Sequence, residues 1–290
     1  MRRALLALVL VTSACTVPGT AVPVGGNLAL VDASRTGAAL DAVRVAAEAV
    51  FSYDSGNAGA FDQAVAANVT AAAKDQLTTL FEQVRKSAQP VRLVTRVRQA
   101  AALEFTGDRV RDLAVLEQVN GTSKGLAAVA LTAVRESGRW RLSDVAVNPA
   151  QPGPAPQPDD GSPGGVRDSA LAGARAAAAG LFTTDSGDPE GSYARAEAVA
   201  AGPLLDDYRT KKATYVEAIR KSGTKVALGP DPMAGVIALT GGRASVLFFT
   251  NLQVTDAAGE VTSRPFTTEL DVVREGAGWK ATAVRPVTVS

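Results

Sequence analysis

Val50-Phe51-Ser52-Tyr53-Asp54-Ser55-Gly56 is answered 131 residues further on by Leu181-Phe182-Thr183-Thr184-Asp185-Ser186-Gly187. In both stretches an apolar helix end runs into Asp-Ser-Gly, residues that stop helices and make turns. Just upstream, Leu40, Val43, Ala47, Val50 and Phe51 fall on one helical face, and Leu171, Ala174, Ala178, Leu181 and Phe182 repeat it. Downstream, Glu82 and Arg85-Lys86-Ser87 are answered by Glu217 and Arg220-Lys221-Ser222, and Glu136, Trp140 and Val145 by Glu275, Trp279 and Val284. The offsets drift from 131 to 135 to 139 residues, as small loop insertions require. The pattern predicts a tandem duplication of one domain.

Within each half, helices come first. A short helix is expected around Phe61–Val69 and a longer one around Ala71–Ala88, with Leu77, Leu80, Phe81 and Val84 on one face. The counterpart of the longer helix spans about Leu204–Ser222. Strand-like runs follow at Val91–Arg98, Leu113–Gln118, Leu126–Arg135 and Trp140–Val147. In the second half they lie at Lys225–Leu228, Gly235–Leu239, Ala244–Val254, Pro265–Arg274 and Trp279–Val284. Helices followed by an antiparallel meander predict a segregated α+β layout, with the helices covering the concave face of a curved sheet.

Residues 149–166 hold six of the chain's 15 prolines and no aromatic side chain, a composition that cannot build a core. The expected organisation is therefore 1–14 signal peptide, 15–35 tether, 36–148 first domain, 149–166 linker and 167–290 second domain. The two cores, residues 36–148 and 167–288, carry 13 basic with 12 acidic and 14 with 14 side chains. Neither is a nucleic-acid binder by bulk electrostatics. The chain has no histidine and one cysteine, which excludes a Ser-His-Asp triad, a Cys-His dyad, histidine metal ligands and an internal disulfide. No cofactor or metal is expected. Asp159-Asp160 and Asp206-Asp207 lack the ligand density of a calcium loop, and no phosphate-binding Gly-Lys loop occurs. Asp206-Asp207 is expected at a helix entrance.

Met1-Arg2-Arg3, the apolar run Ala4–Val11 and the small residues Thr12, Ser13 and Ala14 read as an export signal, too short to span a bilayer. Val11-Thr12-Ser13-Ala14-Cys15 resembles a bacterial lipobox, departing from it in having Thr12 where an apolar residue is usual. That resemblance implies cleavage after Ala14 and lipidation (palmitate-type acylation) of Cys15. The chain would then be an outward-facing lipoprotein of the cell membrane.

Phe51, Tyr53 and Asp54, with the hairpin Arg135, Gly138, Arg139, Trp140, Leu142, Ser143 and Asp144, resemble the Mce-associated proteins of actinobacteria. The second half keeps Phe182, Asp185, Arg274, Gly278 and Trp279, but has Thr184 in place of the tyrosine and lacks the Leu-Ser-Asp ending. The resemblance implies two NTF2-like (cystatin-like cone) domains. It also implies accessory service to Mce-type lipid import, with an Mce complex or another envelope protein as partner and no catalytic residue. Two alternatives stand beside it. One is a module holding an apolar ligand or lipid in a cone. The other is an isomerase, dehydratase or cyclase of the NTF2-like kind, with Tyr53 and Asp54 as an acid pair.

Five residues are candidates for ligand or partner contact: Tyr53, Asp54, Arg92, Arg96 and Arg98. The arginines share one parity of a strand, where they could hold an anionic headgroup or an acidic patch. The plainer reading makes Tyr53 a packed helix end and Asp54 a turn cap. It puts the arginines on a solvated outer face near Glu104, Asp108 and Asp112. Trp140 and Trp279 are read as anchors of the sheet against the helices.

Overall fold

The computed structural model describes residues 29–149 and 160–288. The first half runs α1 (Ala33–Val50), β1 (Tyr53–Asp54), a 3-10 turn at Ser55–Asn57, α2 (Ala58–Asn68), α3 (Ala71–Arg85), β2 (Arg92–Phe105), β3 (Arg109–Asn120), β4 (Ser123–Glu136) and β5 (Arg139–Val147). The second runs α4 (Pro163–Phe182), β6 (Thr184–Asp185), α5 (Pro189–Val199), α6 (Gly202–Thr210), α7 (Lys212–Ser222), β7 (Lys225–Ala227), β8 (Met233–Thr240), β9 (Arg243–Thr255), β10 (Val261–Glu275) and β11 (Gly278–Pro286). The fold is α+β, with seven α-helices and a large antiparallel sheet among the described residues.

The helices start where their caps are. Asp32 accepts from the Arg35 amide and opens α1, and Ser162 accepts from the Gly165 amide ahead of Pro163 in α4. Both starts fall inside segments expected to be tether and linker. Ala29 is fully buried and Leu30 packs against the second-half core. The Arg167 guanidinium, itself buried, donates to the Ala29 carbonyl at 2.9 Å.

Local contacts recur between the halves. Asp54 accepts from the Gly56 amide and lies 3.8 Å from Arg92; Asp185 accepts from the Gly187 amide and pairs with Lys225 at 3.0 Å. A parallel bridge joins Val69 to Leu142, and another joins Ala200 to Ala281. Trp140 lies opposite Arg135, and Trp279 opposite Arg274. Trp279 buries its ring on α4, where its indole N–H donates to Ser169 Oγ at 2.9 Å. The half-buried Trp140 packs against the first core, its ring 6.2 Å from that of Phe105.

Two elements differ from expectation: one helix is divided, and β2 runs on to Phe105 instead of ending at Arg98. The helix expected over Leu204–Ser222 is two helices, because Lys211 leaves helical geometry at ψ 20°. Asp206 and Asp207 sit in the middle of α6 rather than at its entrance. There Asp207 accepts from Tyr215 Oη at 2.8 Å and pairs with Lys211. The single long strand β2 is matched in the second half by two, β7 and β8, as the separate runs Lys225–Leu228 and Gly235–Leu239 led one to expect. Gly229-Pro230-Asp231-Pro232 separates them, since proline removes ladder donors.

The sheet order is β11-β10-β9-β8-β2-β3-β4-β5, so one sheet runs through both halves. The link is a single antiparallel bridge, Ala102 to Val236. Register shows what kind of residues meet there. Ala102 faces Asp112 just before a β2/β3 bulge, and Val236 faces Val246 just before a β8/β9 bulge. The bridge therefore pairs the same position of the two halves. Around it Ala101, Leu103, Leu113, Val115, Ala128 and Ala130 pack with Met233, Leu247 and Phe249 in one buried cluster. Each half also has its own core between helices and sheet.

Candidate functional site

Tyr53 is 6% exposed and belongs to an aromatic set with Phe51, Phe61 and Phe81, its ring 5.6 Å from Phe61 and edge-on. This set fills the helix-covered side of the first half. Beside it, among Leu80, Val84, Leu93, Leu116, Gln118 and Val129, the remaining space is about 20 Å³. That is room for about one water, and its lining is mostly apolar. Asp54 is spent on its turn and on Arg92.

The three arginines do not converge on one point. Arg92 faces Asp54. Arg96 is exposed and lies opposite Glu117 in the ladder. A bulge between Val97 and Gln99 breaks the alternation, so Arg98 sits in the irregularity, with Nη1 3.7 Å from Glu117 Oε2. The Glu117 side chain is only 3% exposed, so Arg98 is one of the groups that offset the cost of burying its carboxylate.

The bulge opens a groove of about 280 Å³ between α1 and β2. Leu40, Val97 and Ala100 give it an apolar floor, and Arg44, Arg98, Asp41 and Gln99 stand around it. Arg44 lies 3.5 Å from Asp41, both exposed. On the far side of the bulge Gln99 donates to Glu269 Oε2 of the second half at 2.9 Å. Glu269 and Asp271 both pair with Arg285, which they hold above the ordinary arginine range, and Ser245 donates to Asp271.

Asp112 corrects the expectation of a solvated face. It is 1% exposed, one oxygen has no hydrogen-bond partner, and burial pushes its pKa up to about 8. Its ladder neighbours are Ala102 and Leu131, both in the first-half core. The parity it shares with Val110, Ala114 and Leu116 carried that signal. A second aromatic group went unread in the sequence: Tyr208 stacks on Tyr215 at 4.6 Å, near Tyr193. Asp207 raises the Tyr215 hydroxyl to about 12 by accepting its proton in a hydrogen bond. Cys15, Thr12, Ser13 and Ala14 lie outside the described residues.

These features define an α+β protein with a large antiparallel sheet. No protein-family model matches the chain, and no curated protein matches it. Among solved structures it is similar to an "Ntf2 like protein involved in plasmid conjugation", with TM-score 0.28 and 10% identity over 87% of this chain and 97% of that one. It is also similar to the periplasmic domain of DotI, with TM-score 0.32 and 16% identity over 45% of this chain and 98% of that one. Among the described residues no helix is long and apolar enough to cross a membrane.

Proposed function

We propose that the chain is an extracytoplasmic accessory protein that works by contact rather than catalysis. It consists of two tandem NTF2-like domains tethered to the membrane by a lipid on Cys15. The observation that carries this reading is the filled first cone. Its aromatic side chains leave about 20 Å³, and Tyr53 and Asp54 are committed to packing and capping. An acid–base site needs a chamber where substrate meets the acid. At this place in the first half the same packing leaves too little room for a lipid chain, which needs far more than the space of one water. Support for Mce-type lipid transport comes from the sequence resemblance around Phe51, Tyr53, Asp54 and the Trp140 hairpin.

Two experiments test the reading. Crosslinking in intact envelope followed by affinity capture is expected to recover a membrane partner, Mce components among the candidates. Recovery of the chain alone would overturn the accessory role. Cys15→Ser is expected to move the protein out of the carbonate-washed membrane fraction, since a lipid anchor gains about 0.8 kcal/mol per buried CH2. If the variant stays in the membrane, the anchor assignment fails.

A further inference from the structure

We propose that the chain leading into α1, from Ala29 to Thr36, is a strap that latches the two halves together, with Arg167 of α4 as its catch. The sheet by itself joins the halves at one bridge, Ala102 to Val236. The strap adds a second connection, made through the main chain. Ala29 is fully buried in the first-half core, while the next residue, Leu30, packs on the second-half core. The Ala29 carbonyl, at the crossing, accepts from Arg167 Nη1 at 2.9 Å over a sequence separation of 138 residues.

Both sides of the crossing are fixed. The Leu30 amide donates to Thr36 Oγ1 at 3.2 Å, and that hydroxyl donates to the Asp32 carbonyl at 2.7 Å, so the strap is tied to the first turn of α1. Thr36 is fully buried. On the other side the Arg167 side chain is 4% exposed and is held by Asp168 at 2.8 Å. A buried guanidinium is costly to desolvate, and a carbonyl that accepts from it makes a charge-assisted bond. Leu30 itself has φ 61°, in the left-handed region that leucine avoids. Such a conformation persists only where its surroundings over-determine it, and residues held this way gather at clamps and switch regions. The strain is stored in the latch and is released when the catch lets go. Because Ala29 touches both halves, a hold on the chain that precedes it bears on both of them.

The test is native-state hydrogen exchange on the purified full chain, read by mass spectrometry in rising urea. In wild type, the strap and the first turn of α1 are expected to open together with the junction strands around Ala101–Leu103 and Met233–Val236, as one cooperative unit. Two variants then undo the latch from opposite sides. Arg167→Met removes the catch and keeps an apolar stem of similar length. Thr36→Val removes the hydroxyl and keeps the shape, with no change of charge. Each is expected to speed exchange by about tenfold or more at the strap and at the junction strands of both halves, with Leu77–Phe81 and Ala177–Leu181 staying within about twofold of wild type. Loosening confined to the half that carries the substitution overturns the latch. So does a wild-type strap that opens at low urea while the junction stays shut. Should Arg167→Met fail to fold, Thr36→Val and the wild-type comparison decide the matter by the same two criteria.

Discussion

At the scale of single residues, Asp112 is a buried carboxyl with one oxygen that has no hydrogen-bond partner. Burial alone raises it, with no charge from a neighbouring element among the causes. The matched position in the second half is Val246, which is fully buried. The sign of the linkage follows from the shift. The folded state holds its proton up to about pH 8, whereas the unfolded carboxyl loses it near 3.8. Between those values the native state binds more protons, so stability falls as pH rises and levels off above about 8. Asp112→Val should therefore be more stable than wild type near pH 8 by on the order of 1–3 kcal/mol, with the difference shrinking toward pH 4. Urea titrations across that range measure it; a constant difference at every pH would contradict a titrating Asp112. Tyr53 is the opposite case. Its ring is packed among aromatic neighbours, so Tyr53→Phe should be nearly silent in thermal melts. Phe81→Ala should cost about 3–5 kcal/mol through the cavity it leaves.

At the scale of elements, periodicity placed most helices and strands within a few residues. Leu77, Phe81 and Val84 do face the core, and the Trp140 and Trp279 strands do pack on helices. What failed was irregular geometry. The bulge at Arg98 leaves no mark in a count of alternating residues, so the arginines read as one row when they are not. The break after Ala227, by contrast, was legible: Gly229-Pro230-Asp231-Pro232 reads as a turn between separate strands, and β7 and β8 lie on either side of it. Gly229 is needed at that break. A Cβ there would lie 2.5 Å from the Asn251 carbonyl oxygen, and the Gly229 amide donates to Thr250 Oγ1 at 3.2 Å. Gly229→Ala is expected to destabilise by about 1–3 kcal/mol, since the obstacle is backbone and cannot swing away. A melt indistinguishable from wild type would mean that the β7–β9 register relaxes freely.

At the scale of the whole molecule, the two halves share a core that the repeat alone did not announce. Its trace is nonetheless in the sequence. Leu113-Ala114-Val115-Leu116 and Leu247-Phe248-Phe249 are apolar on both parities, the mark of strands buried on both faces. Helices cover one face of each, and the other half covers the second face. Because matched positions meet at Ala102 and Val236, the junction is built like a self-complementary dimer contact made within one chain. Its tightest point is Gly235, where an added Cβ would lie 2.9 Å from Ala101 Cβ and 3.0 Å from Ala101 O. Gly235→Val must push the sheets apart just where Leu103, Leu113, Val115, Leu247 and Phe249 lose water together. The variant is expected to melt lower by several degrees, about 1–3 kcal/mol of overpacking. It should also expose the shared face to a dye that binds apolar surface, while the circular dichroism of each half persists. Gly278→Ala is the control, since a Cβ at Gly278 meets nothing within 4 Å. Equal melting of the Gly235 variant and wild type, with no rise in dye binding, would show that the two halves do not need this contact.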